Sequence, residues 1–119
     1  MIKVYSKSTC STCRTALQLI KANTKENIET IEYLVETPTQ PELKEIIKRL
    51  GMKPEELVRK KEPLYKEKYK NKKITGAQWI KILNQNPILI ERPIIIKGDK
   101  AIIGRPVEKI IDFVKKSWQ

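Results

Sequence analysis

Ser8-Thr9-Cys10-Ser11-Thr12-Cys13-Arg14-Thr15-Ala16 is the stretch that decides how this chain folds. It follows a short apolar strand, Ile2 to Tyr5, and opens a helical pattern over residues 11–22. Cys13, Ala16, Leu17 and Ile20 fall at i, i+3, i+4 and i+7 of that pattern. Cys10 is therefore expected at or just before a helix N-terminus, where backbone N–H groups lack intrahelical partners. Those donors and the positive end of the helix dipole favour a thiolate over a thiol. Arg14 adds a nearby positive charge. Such surroundings lower a cysteine pKa from about 8.5 to roughly 3.5–7.5. Cys13 lies one turn further along the same side, within reach of a species held on Cys10. A Cys-x-x-Cys pair between a strand and a helix is a redox signal.

Other uses of the two cysteines fit less well. A four-thiolate zinc site needs two such pairs, and the chain has two cysteines and no histidine, so no metal site is expected. Buried structural cysteines do not match the polar neighbours at a helix start. A permanent disulfide across so short a loop would constrain the unfolded chain little.

Composition sets the outer bounds. The 119 residues suit one domain, 1–119, with a single core. No stretch approaches the roughly 20 apolar residues of a membrane span. The opening Met1-Ile2-Lys3-Val4-Tyr5 runs directly into a strand rather than a signal peptide. That predicts a cytoplasmic location, where thiols stay reduced and paired cysteines tend to be catalytic. The formal net charge of +11 admits nucleic acid, an acidic partner or small anions. Many of the lysines sit in one run, Arg59 to Lys73, without interleaved aromatic repeats, and read as solvated surface. Nucleic-acid binding rests on net charge alone and is not expected.

Further along, Ile28 to Leu34 reads as a second strand, broken by Thr37-Pro38. Thr39-Gln40-Pro41-Glu42 is a capping box with proline in the first turn, and Leu43, Ile46, Ile47 and Leu50 follow at helical spacing up to Gly51. Pro54 opens a short helix ending near Arg59, and residues 60–73 read as loop or weak helix with Tyr65 and Tyr69 as anchors. Thr75 and Gln78 form a second capping box, stapled by Ile74 and Trp79, for a helix ending near Asn86-Pro87. Arg92-Pro93-Ile94-Ile95-Ile96 is an apolar strand, Gly98-Asp99 a hairpin turn, and Ala101 to Ile103 its partner. Gly104-Arg105-Pro106 starts the last helix, with Val107, Ile110, Ile111 and Val114 inward. Glu108 near its start and Lys115-Lys116 near its end complement the dipole.

The order is β-α-β, a helical insertion over about residues 39–86, then β-β-α. The first unit implies a parallel crossover and the hairpin an antiparallel pair. One mixed four-stranded α/β sheet flanked by helices satisfies both. The cysteine pair then lies at the C-terminal end of strand one, where open α/β sheets place ligand sites.

Cys10 at the strand–helix turn, Arg59 after the insertion, Arg92-Pro93 before strand three and Gly104-Arg105-Pro106 before the last helix resemble the glutaredoxin-linked arsenate reductase family. So do Tyr33-Leu34 through Glu36-Thr37-Pro38, and Asn86-Pro87-Ile88-Leu89-Ile90. The resemblance covers nearly the whole chain. It implies a thioredoxin-like fold and a Cys10 that attacks arsenate. Arg59, Arg92 and Arg105 would hold the oxyanion, with Ser11 and Thr12 beside them at the helix start. The Arg92–Pro93 bond would be cis. No bound cofactor is implied. The reductant would be an external thiol: glutathione with glutaredoxin, or thioredoxin.

The residue types suit that chemistry on their own. Arginine presents a permanently charged planar fork to paired oxygens, so three arginines plus helix N–H groups make a cradle for a tetrahedral dianion. Each has a plainer reading. Arg59 borders a lysine run, Arg92 has Glu91 and Glu36 as possible ion-pair partners, and Arg105 flanks a helix.

Two positions depart from the family. Many well-studied members have serine where this chain has Cys13, and a histidine shortly before the nucleophile. Here Ser6 and Lys7 occupy that region, with Lys7 a source of positive charge. Cys13 is tethered near Cys10, which predicts a Cys10–Cys13 disulfide intermediate.

Spx-type transcription regulators share the Cys-x-x-Cys and an arginine-proline before strand three. They bind the RNA polymerase α subunit and use the disulfide as a switch. They generally lack an arginine matching Arg105, so they stand as the alternative. An otherwise uncharacterised thiol oxidoreductase is the third reading.

Overall fold

Strand β1 (Ile2–Ser6) lies inside a four-stranded sheet of order β2-β1-β3-β4 in the computed structural model, which describes residues 1–117. β2 (Ile28–Glu32) runs parallel to it, with Ile2 opposite Ile28 and Ser6 opposite Glu32. β3 (Ile94–Lys97) runs antiparallel on the other side, with Tyr5 opposite Ile94. β4 (Lys100–Ile103) closes the hairpin with Ile94 opposite Ile103. The turn at Gly98 has φ +59°, a left-handed conformation that glycine adopts without the Cβ penalty. This is the mixed four-stranded sheet that the sequence predicts.

Strand alternation divides the core between the two faces. Ile2, Val4 and Ile95 pack on one side with Ala16 and Ile20 of α1 (Ser11–Asn23) and Ile110, Phe113 and Val114 of α4 (Lys109–Lys115). Tyr5, Ile31, Ile94 and Ile96 face the other way, toward Leu43, Ile46 and Ile47 of α2 (Gln40–Leu50) and Trp79, Ile80 and Leu83 of α3 (Gly76–Gln85). β3 is buried on both faces, which is why Ile94-Ile95-Ile96 is an unbroken apolar run.

Both capping boxes form. Thr39 and Glu42 exchange hydrogen bonds of 3.0 and 3.2 Å, and Thr75 and Gln78 exchange bonds of 2.8 and 3.2 Å. Between α2 and α3 the chain makes a 3-10 turn at Pro54–Leu57 and one turn of π-helix at Tyr65–Tyr69. Tyr65 and Tyr69 anchor that lysine-rich segment by packing on Trp79, with ring centroids 6.3 and 5.7 Å away.

Two boundaries differ from the sequence expectation. β2 stops at Glu32 because β1 stops opposite it and turns into α1. Tyr33 N–H still reaches Ser6 O at 3.3 Å, and then Val35 and Glu36 fold back onto Glu32 O. α4 begins at Lys109 rather than near Gly104. Lys109 and Ile110 donate to Pro106 O and Val107 O, in turn geometry that precedes the helix. Its buried face consequently reads Ile110, Phe113, Val114, and Ile111 is only partly covered.

Gly104 sits where that turn presses on the sheet. A Cβ there would lie 3.0 Å from the Pro93 ring, 3.1 Å from Ile110 Cδ1 and 3.2 Å from Ile95 Cδ1. The proline ring cannot swing away. Gly104→Ala is expected to destabilise the fold by about 1–3 kcal/mol, as overpacking of a filled core does. Chemical denaturation of the two proteins measures it.

Candidate functional site

Cys10 occupies the N-cap position of α1. Its backbone is extended, its N–H donates to Lys7 O at 2.9 Å, and its carbonyl accepts the first helical bond from Arg14 N at 3.1 Å. The half-buried sulfur thus stands over the open first turn. Burial pushes the Cys10 pKa up. The Cys13 backbone N–H and thiol, the Arg92 guanidinium and the Thr12 backbone N–H more than offset that, and bring it down to about 6. Cys10 is therefore a thiolate at neutral pH. Two of the groups that lower its pKa are backbone N–H donors of the helix start.

The positive charges at the sulfur come from segments distant in sequence, Arg92 before β3 and Arg105 after β4. Arg105 Nη2 donates to Cys10 Sγ at 3.5 Å, and its Nε donates to the Arg92 carbonyl at 2.6 Å, which fixes the guanidinium in place. Arg92 is only 6% exposed, and its Nη1 donates to Tyr33 Oη at 3.3 Å. Arg14 instead donates to Ser8 O at 3.2 Å. Lys7 contributes its carbonyl to the turn.

Arg59 approaches from another wall. Its N–H donates to Leu89 O at 2.7 Å, beside the bridge between Val58 and Ile90. Its side chain lies 3.8 Å from Glu62 and 3.6 Å from Glu91. Glu91, considered in the sequence as a partner for Arg92, is paired with Arg59. Arg59 and Arg105 line one groove of about 390 Å³ together with Lys60, Lys61 and Glu91. Arg105 therefore belongs both to this groove and to the Cys10 sulfur. Arg59 Nε and Arg92 Nε are buried donors with no hydrogen-bond partner among the described residues.

The remaining candidates sit close by. The Arg92–Pro93 bond is cis. Ser11 is exposed, and Thr12 acts on the thiolate through its backbone N–H. Cys13 is 1% exposed beneath Cys10. Burial raises its pKa, the Lys7 backbone lowers it, and the hydrogen bond and charge of Cys10 raise it again, to about 11. Its thiol keeps its proton and donates toward the Cys10 sulfur. Tyr33 is the residue that sequence reasoning missed. The sequence places it at the end of strand two and in the Tyr33-Leu34 phrase that resembles the family, without a site role, although a buried tyrosine hydroxyl requires a partner and so signals a polar neighbour.

These two thiols should separate cleanly by reactivity. Alkylation of Cys10 by iodoacetamide is expected to reach half its maximal rate near pH 6 and to plateau above it, because the thiolate is the reacting form. Cys13, buried and protonated, should stay unlabelled over the same range. Peptide mass spectrometry of samples quenched across pH 4–9 distinguishes the two.

A sheet of this order, with a low-pKa cysteine capping the first helix and a protonated cysteine one turn on, defines the class: a thioredoxin-like thiol oxidoreductase. Sequence and structure comparisons narrow it. The model of the ArsC family matches residues 5–113, and the chain belongs to that family. It is 40% identical over 116 residues to the uncharacterized protein YfgD of Escherichia coli (strain K12), across 95% of this chain and 96% of that one. It is 34% identical over 111 residues to an arsenate reductase of Neisseria meningitidis serogroup A, across 92% and 94% of the two chains. The solved arsenate reductase from Vibrio cholerae superposes with a TM-score of 0.87 at 30% identity, covering 93% of this chain and 95% of that one. Among the described residues no helix is long and apolar enough to cross a membrane, and no group of three or more His, Cys, Asp or Glu is placed to hold a metal ion.

Proposed function

We propose that this protein reduces arsenate to arsenite in the cytoplasm, with Cys10 as nucleophile and Arg59, Arg92 and Arg105 binding the oxyanion. The observation that carries the reading is the meeting of Arg105 and Arg92 at the Cys10 sulfur, with a buried Arg92 Nε that has no hydrogen-bond partner among the described residues. Fixed forks of this kind match the edge of a tetrahedral oxyanion, and each charge-assisted contact contributes about 1.5–3 kcal/mol. The Thr12 and Cys13 backbone N–H groups complete an anion-binding helix start, with Ser11 at its rim.

The Cys10 thiolate attacks arsenic(V), and one arsenate oxygen leaves as water after taking up protons. A second thiol then attacks the Cys10 sulfur. The S–As bond breaks with its electron pair going to arsenic, which departs as arsenite. Two thiols become one disulfide, so an external thiol must restore them. We assign the second thiol to Cys13 and the restoring step to glutathione with glutaredoxin, or to thioredoxin. Arg105 favours this reading over a redox-switched regulator of RNA polymerase, because it commits a charge to the sulfur that anion chemistry uses and a simple disulfide switch does not.

The test is the purified protein with arsenate, assayed in parallel with glutathione plus glutaredoxin and with thioredoxin plus its reductase. Arsenite formation in at least one arm is expected. None in either arm overturns the proposal.

A further inference from the structure

Tyr33 lies just past the end of β2 and is completely buried. Its hydroxyl donates to Ile90 O at 3.4 Å and accepts from Arg92 Nη1 at 3.3 Å. It is the hydrogen-bonding partner given to the buried Arg92 side chain, whose Nε has none. We propose that Tyr33 is a positioning residue, whose hydroxyl holds the Arg92 guanidinium against the Cys10 sulfur and aims its free edge at the bound oxyanion. The oxyanion half of this proposal rests on the arsenate reading. The thiolate half does not.

Arg92 reaches the site with several rotatable bonds, and holding such a side chain in one rotamer has an entropic cost. The hydroxyl sets the rotamer from a rigid base. The ring is packed among core residues, and Ile90, its acceptor, is held by the bridge to Val58, one residue before Arg59. One phenol thus couples the end of β2, the segment carrying Arg59 and the arginine that enters β3. Arg105 is anchored differently, through the Arg92 backbone carbonyl rather than the side chain. Loss of the Tyr33 hydroxyl should therefore loosen Arg92 and leave Arg105 in place. That predicts a partial effect on the thiolate rather than its loss.

The experiment is Tyr33→Phe, read first through the pH dependence of Cys10 alkylation, with no arsenate present. The midpoint is expected to rise by about one pH unit, within the range an opposite charge imposes on a titrating neighbour. The KM for arsenate should rise several-fold. In an Arg92→Met background the same substitution should shift the alkylation midpoint no further, because the arginine through which it acts is gone. An unchanged midpoint in Tyr33→Phe, or an equal shift in both backgrounds, overturns the proposal. Stability gives a second readout should Tyr33→Phe fold poorly. Removing both hydrogen-bonding partners is milder than leaving one buried and unpaired. Tyr33→Phe/Arg92→Met should then melt at or above the temperature of Tyr33→Phe, and a further fully additive loss counts against the coupling. A shifted midpoint without arsenate turnover leaves Tyr33 as positioning residue and removes only the substrate assignment.

Discussion

Cys10→Ser should lose arsenate reduction by roughly 10⁴-fold or more, a loss typical of removing the attacking group. The expectation has two physical grounds. A serine hydroxyl is a weak nucleophile unless a general base takes its proton, and the chain has no histidine to do so. An oxygen in place of sulfur also cannot form the disulfide that lets arsenic leave reduced. The fold should survive. Serine is among the preferred N-cap residues, and its hydroxyl can accept from the same first-turn N–H groups that face the Cys10 sulfur. The variant should melt at or slightly above the wild-type temperature while making no arsenite. Arsenite formation at more than a few per cent of the wild-type rate would remove Cys10 from the nucleophile's role.

The parts of this site that local chemistry dictates are legible in the sequence. The capping boxes of α2 and α3 depend on residues three apart, and they form as their sequences require. The hairpin at Gly98-Asp99 and the helix start at Ser11 are local in the same way, so the sheet and the position of Cys10 follow from short stretches. What depends on tertiary placement is not legible. Arg14, next to the cysteines in sequence, turns to Ser8 O. Arg92 and Arg105, more than eighty residues away, reach the sulfur instead. Glu91 adjoins Arg92 in sequence but faces Arg59, because consecutive strand-like residues point to opposite sides. Tyr33 meets Arg92 only once β2 ends at Glu32, and that end is set by the length of β1. The start of α4 moved for a comparable reason: the chain at Gly104 is packed against Pro93 and Ile95 before it can turn.

Cys13→Ser should separate the two reductants. The position is one helical turn from Cys10 and its thiol already points at the Cys10 sulfur, so attack on an adduct held there is intramolecular and gains from fixed orientation. At rest Cys13 is a poor nucleophile, with a pKa pushed up by burial and by the neighbouring thiolate to about 11. The adduct changes this. Once the Cys10 sulfur is bonded to arsenic it carries no negative charge, and the part of the upward push that came from Cys10 disappears. Burial still raises the pKa, while the Lys7 backbone and Arg92 lower it. Cys13 is thus quiet until there is something to resolve. Reduced protein treated with arsenate and no external thiol should lose two alkylatable cysteines per chain, joined as a Cys10–Cys13 disulfide. Thioredoxin, a dithiol that reduces disulfides, should drive wild type but not Cys13→Ser. Glutathione, which can attack the adduct from outside, should drive both. A Cys13 that remains fully alkylatable after unfolding in denaturant, or a variant driven equally by both reductants, would assign the resolving step to an outside thiol.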